Sequence, residues 1–119
     1  HDGEAALEPI LSGLSRAKEE LQDATMWLMA NGLANPDNAG AASTDYMHLF
    51  GLTALAYMWA MMAKAAQDRI AAGDADPYYA HRLTLARYYA ERILPESSTH
   101  LAKLKTGADT LMSLPAEAF

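Results

Sequence analysis

The sequence contains no cysteine and no valine, and only three isoleucines. The lack of cysteine excludes disulfide bonds and thiolate metal sites, which is typical of a reducing compartment, so we expect a cytoplasmic protein. Val and Ile favour strands, whereas Ala, Leu and Met are strong helix formers. The 25 alanines and 7 methionines therefore predict an all-α fold.

Positive charge is also scarce, because 9 Lys and Arg residues stand against 15 Asp and Glu residues, a formal net charge of -6. An acidic surface repels phosphate backbones, so we expect no nucleic-acid partner. The N-terminal residues HDGEAALEP lack the apolar segment of a signal peptide, and none is predicted. Because the chain begins at His1 and not at Met, we interpret it as a fragment or a processed piece of a longer protein.

One stretch lacks charge altogether: residues 46–63 read YMHLFGLTALAYMWAMMA between Asp45 and Lys64. Its apolar residues fall nearly all round a helix, which predicts a helix buried among the others. A membrane-spanning helix needs about 20 predominantly apolar residues. This run is shorter, contains His48 and Thr53, and has no cluster of Lys or Arg beside it. We therefore predict no membrane span.

Apolar spacing and turn signals divide residues 1–119 into four helices of a single domain. Asn35-Pro36 and Asp76-Pro77 each read as a helix cap followed by a first helical proline. The helices are predicted near residues 6–33, 37–72, 77–94 and 96–113, with Pro9 in the first turn. The weak helical turns after Pro36 leave the onset of the second helix open between Pro36 and Thr44. Short connections favour antiparallel neighbours, so the prediction is an up-down-up-down four-helix bundle with a long central second helix. Its predicted core consists of Leu14, Leu21, Leu28, Leu52, Tyr57, Trp59, Leu83, Ile93, Leu104 and Leu111.

The histidines and carboxylates do not have the spacing of a metal site. Di-metal helical bundles use Glu-x-x-His on two helices. Asp45 precedes His48 by three positions and Glu96 precedes His100 by four, and neither pair is that motif. We predict no metal site, and we expect His48 to form a hydrogen bond at the end of the bundle.

No residue pattern points to catalysis or to a bound cofactor. There is no Gly-rich phosphate loop, and Ser43, Ser97 and Ser98 lie near predicted helix starts, where capping is their ordinary role. Consecutive residues on a helix point about 100° apart, so each of the pairs 78–79 and 88–89 places at most one tyrosine ring in the core. On the residues alone, the chain is a helical packing module without catalytic, cofactor-binding or metal residues.

Three phrases carry a resemblance to a known family: RILPE at residues 92–96, KTGAD at 105–109 and the closing LPAEAF. Together with the stretch 45–66, they resemble the C-terminal extension of the longer bacterial acyl-CoA dehydrogenases. That group includes enzymes similar to 3-methylmercaptopropionyl-CoA dehydrogenase. The resemblance runs from about Leu7 onward and implies an α-helical domain.

The resemblance implies a parent enzyme that oxidises an acyl-CoA thioester with FAD, while FAD, catalytic base and substrate pocket belong to upstream domains. No such residue is carried over to this chain. The expected partners are the upstream acyl-CoA dehydrogenase domains and a second subunit of a homodimer. The alternative is a free-standing four-helix interaction module with no enzyme attached.

Overall fold

The computed structural model describes the backbone of residues 2–119 and the side chains from Ala5 onward. That part of the chain is helical and contains no strand, so the all-α helical bundle is confirmed. The helices are α1 (Asp2–Asn31), α2 (Pro36–Ala71), α3 (Pro77–Tyr88), α4 (Glu96–Leu104) and the short α5 (Asp109–Met112). A π-helical turn (Tyr89–Ile93) follows α3, and a 3-10 turn (Ala116–Ala118) lies near the end.

The predicted caps of α2 and α3 are confirmed. The side chain of Asn35 accepts a hydrogen bond from the backbone N–H of Asp37, and that of Asp76 accepts one from Tyr78. The start of α1 differs from the prediction, since the helix begins at Asp2 and Pro9 lies inside it. Alanine and leucine before Pro9 are strong helix formers and extend α1 toward the N-terminus.

The last connection differs from the predicted alternation, because α4 continues in the direction of α3. Leu94 and Pro95 both keep right-handed helical dihedrals between the π turn and α4. As the residue number increases along this segment, its hydrogen-bond partners lie progressively closer to the N-terminus of α2. Tyr89 bonds to the backbone of Leu52, His100 bonds to Asp45, and the N–H of Ala108 bonds to Asn38. The bundle therefore consists of three long helical rods. The first is α1, the second is α2, and the third is formed by α3, the π turn and α4 together.

The π turn changes which side chains enter the core. The N–H of Leu94 bonds to the carbonyl of Tyr89, five residues back, so this turn holds one residue more than an α-helical turn. The extra residue rotates the chain by about 100°, so Leu94 is fully buried and Ile93 is exposed. The prediction of Ile93 as a core residue is therefore wrong.

The buried residues form two clusters along the rods. Leu14, Leu52, Trp59 and Leu83 are half-buried against one cluster, Leu21 and Leu28 against the other, and Leu104 is fully buried. Leu111 is exposed, contrary to the prediction, because Gly107 takes a φ of 75° and α4 ends before it. Tyr57 is also exposed, contrary to the prediction, and lies on the uncovered side of α2. The largest side chains that are fully buried include Ile10, Leu49, Leu94 and Leu104.

Helix α2 is covered on one side only, although the sequence predicted that it would be surrounded. It packs on α1 and on the third rod, and its buried positions are Ala42, Leu49, Thr53, Ala56, Ala60, Ala63 and Ala66. In a bundle of three long rods, each rod has only two neighbours and cannot be surrounded by them. The side of α2 that faces away from both neighbours is therefore exposed to solvent. Among residues 2–119, α2 is also the one helix whose length and composition would allow it to cross a membrane, and its most apolar stretch is 33% buried.

Candidate interaction surface

The open side of α2 carries large apolar side chains, while its covered side is built mainly from alanine. We call the patch around Ala54 the α2 face and define it by Met47, Phe50, Ala54, Tyr57, Met58 and Met61. The exposed fractions of its five large side chains are 63% for Met47, 54% for Phe50, 56% for Tyr57, 51% for Met58 and 52% for Met61. A solvent-facing helix surface normally carries charged and polar residues. Here the charged residues begin only at Asp45 and Lys64, outside the patch.

The α2 face continues into a groove between α2 and α1. At one end, Leu11 and Leu14 of α1 lie beside Tyr57 and Met61. At the other end, Met29 of α1 and Leu33 of the turn after it line an apolar groove with Tyr46 and Met47. The exposed apolar surface therefore follows most of the length of the two helices, far beyond the scattered apolar residues of an ordinary surface.

The shape of the molecule agrees with an uncovered face. Its extents are 67 × 28 × 15 Å and its radius of gyration is 18.8 Å. A compact domain of this length has a radius of gyration of about 13.5 Å. The accessible surface is 7789 Å², whereas a compact monomer of 12.9 kDa exposes about 6,300 Å². The excess of about 1,500 Å² exceeds the roughly 800 Å² that one partner contributes to a standard interface.

A polar cluster joins α2 to α4 next to the charge-free stretch. His100 Nδ1 lies 2.9 Å from Asp45 Oδ1, Lys103 Nζ lies 3.4 Å from the same oxygen, and the rings of His100 and His48 stack 5.0 Å apart. The structure thus brings together three residues considered for a metal site, Asp45, His48 and His100. Glu96 is exposed at the start of α4 and stands outside this cluster. Within residues 5–119, no group of three or more His, Asp or Glu side chains is arranged so that it could hold a metal ion.

The contribution of Asp45 to the stability of the fold depends on pH. Partial burial by itself raises the pKa of Asp45, but hydrogen bonds and charges from His100 and Lys103 outweigh it and hold the pKa below its ordinary value of 3.8. A carboxyl whose pKa is lowered on folding stabilises the protein above the unfolded pKa, and this stability is lost as the pH falls through the folded pKa. We expect Asp45→Asn to cost about 1 kcal/mol at pH 7 and progressively less below about pH 4.

Urea unfolding of the wild type and Asp45→Asn between pH 7 and pH 2 measures this difference. Asp68→Asn is the matched control, because Asp68 pairs with Lys64 in an exposed position where an ion pair contributes little. A difference between wild type and Asp45→Asn that stays constant across the pH range would contradict the role given to the carboxylate.

The three serines considered in the sequence either form structural hydrogen bonds or are exposed. Ser97 is fully buried and its hydroxyl donates to Glu20 Oε1 at 2.6 Å, which ties α4 to α1. Ser43 bonds to the carbonyl of Gly40, and Ser98 is exposed.

Of the tyrosine pairs, Tyr89 is buried while Tyr88 is exposed, and Tyr79 is half-buried while Tyr78 is exposed, as predicted. Every buried side-chain nitrogen or oxygen among residues 5–119 has a hydrogen-bond partner.

Comparison with protein families gives a match over nearly the whole chain. Residues 2–115 match the family described as Acetyl-CoA dehydrogenase C-terminal like. The chain belongs to this family. A search of curated proteins gave no match. The expected resemblance to the C-terminal domain of acyl-CoA dehydrogenases is thereby confirmed at the level of the family.

The phrases that carried the resemblance have structural roles in this acyl-CoA dehydrogenase C-terminal domain. Residues 92–96 include the end of the π turn, the proline that precedes α4 and the first residue of α4. Residues 105–109 end the third rod, where Gly107 adopts its positive φ and the N–H of Ala108 donates to Asn38 Oδ1 at 2.9 Å.

Proposed function

We propose that this chain is a non-catalytic C-terminal assembly domain of an FAD-dependent acyl-CoA dehydrogenase, as in the 3-methylmercaptopropionyl-CoA dehydrogenase-like group. In the intact enzyme, the α2 face is covered by the upstream catalytic domains or by a second subunit. The observation that carries the proposal is the inverted arrangement of α2, with small residues toward its own bundle and large apolar residues outward. Exposed apolar patches of this size on soluble domains mark interfaces.

The residues of this chain do not fit a flavin site. FAD needs donors for its pyrophosphate and polar groups directed at its ring, and neither a Gly-rich loop nor an unpaired buried polar side chain is found in residues 5–119. The grooves beside α2 are open and lined mostly by apolar side chains. Flavin chemistry is accordingly assigned to the other domains of the proposed enzyme.

A substitution on the α2 face tests the proposal in the longer enzyme. Met58→Glu places a charge on the face, and Leu85→Glu places one on the exposed side of α3, where the side chain is similarly exposed. Both variants should fold as the 119-residue domain, since both positions face solvent there. In the enzyme, burying an unpaired charge is costly, so we expect Met58→Glu alone to lower the melting temperature, by about 5 °C or more.

Flavin retention provides the second arm of the test. The 119-residue chain mixed with FAD and passed through gel filtration is expected to elute without flavin absorbance. A yellow protein would contradict the assignment of the flavin to other domains. Equal melting temperatures for the two enzyme variants would contradict the assembly role of the α2 face.

A further inference from the structure

We infer that the partner on the α2 face is a second copy of this chain, docked antiparallel about a twofold axis that passes close to Ala54. The inference rests on the proposed function, because it names what covers the assembly surface of the domain. A twofold interface uses the same patch on both copies, so its residues must be compatible with their own rotated image. The α2 face satisfies this condition around Ala54.

Four of the five large residues of the face are distributed symmetrically along the helix, and Tyr57 lies opposite Gly51 of the second copy. Phe50 and Met58 lie four positions before and after Ala54, and Met47 and Met61 lie seven positions before and after it. Residues three, four and seven apart share one face of a helix. Rotation about an axis at Ala54 therefore places Phe50 against Met58 of the second copy, and Met47 against Met61. All four side chains are at least half exposed in the single chain, and methionine adapts readily to an apolar partner.

The centre of the face allows two helices to approach closely. Ala54 is exposed, and a Cβ added at the neighbouring Gly51 would meet no atom within 4 Å, so the centre of the patch is shallow. Packed helices have axes about 8–10 Å apart, and their Cα atoms lie about 2.3 Å from each axis. Facing Ala54 Cα atoms of the two copies would then be separated by about 3–5 Å.

The charges at the ends of the face do not oppose this arrangement. Lys64 and Asp68 pair with each other at 2.8 Å at the C-terminal end of the face. About an axis at Ala54, Lys64 lies opposite Thr44 of the second copy, and Asp68 lies opposite Gly40. No charge on α2 meets a like charge on the other α2, although each chain carries a net charge of -6. The accessible surface in excess of a compact monomer, about 1,500 Å² per chain, is ample for a standard interface.

The absence of cysteine makes a single introduced thiol diagnostic. Ala54→Cys places one cysteine on the proposed axis, and Ala102→Cys places one on the exposed side of α4 as the matched control. The upper end of the inferred separation falls within the Cα–Cα range of about 4.4–6.8 Å that a disulfide requires. Under mild oxidation we expect Ala54→Cys to form at least about fivefold more disulfide-linked dimer than Ala102→Cys. The experiment is performed on the 119-residue chain and on the longer enzyme that carries it.

Thiol alkylation of the reduced Ala54→Cys enzyme distinguishes whether a second copy covers the α2 face from whether the face is covered at all. Preferential cross-linking together with slow alkylation supports the second copy as partner. Slow alkylation without cross-linking would overturn the second copy while preserving the proposed function, since another domain would then cover the face. Fast alkylation without cross-linking, at the rate of the Ala102→Cys control, would overturn both. Adding Met58→Glu to Ala54→Cys should abolish the preferential cross-link, and a cross-link that survives it would place the contact elsewhere.

Discussion

Replacement of Leu94 by alanine is expected to lower the free energy of unfolding by about 2–5 kcal/mol. Leu94 is fully buried in the cluster that joins α1, α2 and the third rod, next to Ala90 and Tyr89. Truncation removes buried apolar atoms and leaves a cavity that close-packed neighbours fill only in part. The loss is large because the π turn directs this side chain, and not Ile93, into the core. Ile93→Ala, at an exposed position, is expected to cost below about 1 kcal/mol.

A second substitution tests the geometry of that contact. A Cβ built on Gly13 would lie 2.9 Å from Leu94 Cδ2 and 3.7 Å from Ala90 Cβ, so Gly13 marks the close approach of α1 and the third rod. In the wild type, Gly13→Ala forces Leu94 to move, which offsets the gain in helix propensity. In Leu94→Ala the conflicting atom is absent, and the added methyl group occupies part of the cavity. We expect Gly13→Ala to be more favourable there by about 1 kcal/mol or more.

Denaturant unfolding of the wild type, both single variants and the double variant measures this coupling. Equal effects of Gly13→Ala in the two backgrounds would show that the two residues are not in contact. A loss below about 0.5 kcal/mol for Leu94→Ala would place Leu94 at the surface and remove the register shift assigned to the π turn.

The second large effect is expected at alkaline pH and arises from Tyr89. Burial raises the pKa of Tyr89 to about 12, and its hydroxyl donates to the carbonyl of Leu52 at 2.6 Å. A group whose pKa is raised on folding contributes stability that is complete below the unfolded pKa and is lost as the pH rises through the folded pKa. Between about pH 10 and pH 12, the free energy of unfolding should therefore fall by about 2–3 kcal/mol on account of this residue.

Tyr89→Phe removes the titrating group and should remove this part of the alkaline slope. At pH 8 the variant also lacks the hydrogen bond, and we expect it to be about 1 kcal/mol less stable than the wild type. The difference should shrink and then reverse as the pH approaches 12. Tyr88→Phe is the matched control, because Tyr88 is exposed at the adjacent position. Parallel pH profiles for the wild type and Tyr89→Phe would contradict a buried, hydrogen-bonded hydroxyl.

The sequence by itself determined the fold class and most of the helix boundaries. Composition predicted helices without strands, and the two cap-and-proline signals indicated starts for α2 and α3 that the side chains of Asn35 and Asp76 confirm, since each accepts a hydrogen bond from the backbone N–H two residues later. Such local signals depend on neighbours in the chain and are readable without tertiary structure. The family was likewise predicted from short phrases that now prove to shape the third rod.

The direction of α4 and the fate of each apolar face were decided only by tertiary structure. Proline at position 95 predicted a boundary, but whether the chain reverses there or continues depends on the π turn and on packing along α2. The period of residues 101, 104, 108 and 111 extends past the point where Gly107 ends the helix. For α2, the apolar residues all round the helix predict that its surface is buried, but they do not indicate which part of the protein or which partner buries it. In this chain the neighbours cover the alanine side, and the side with phenylalanine, tyrosine and methionine remains exposed.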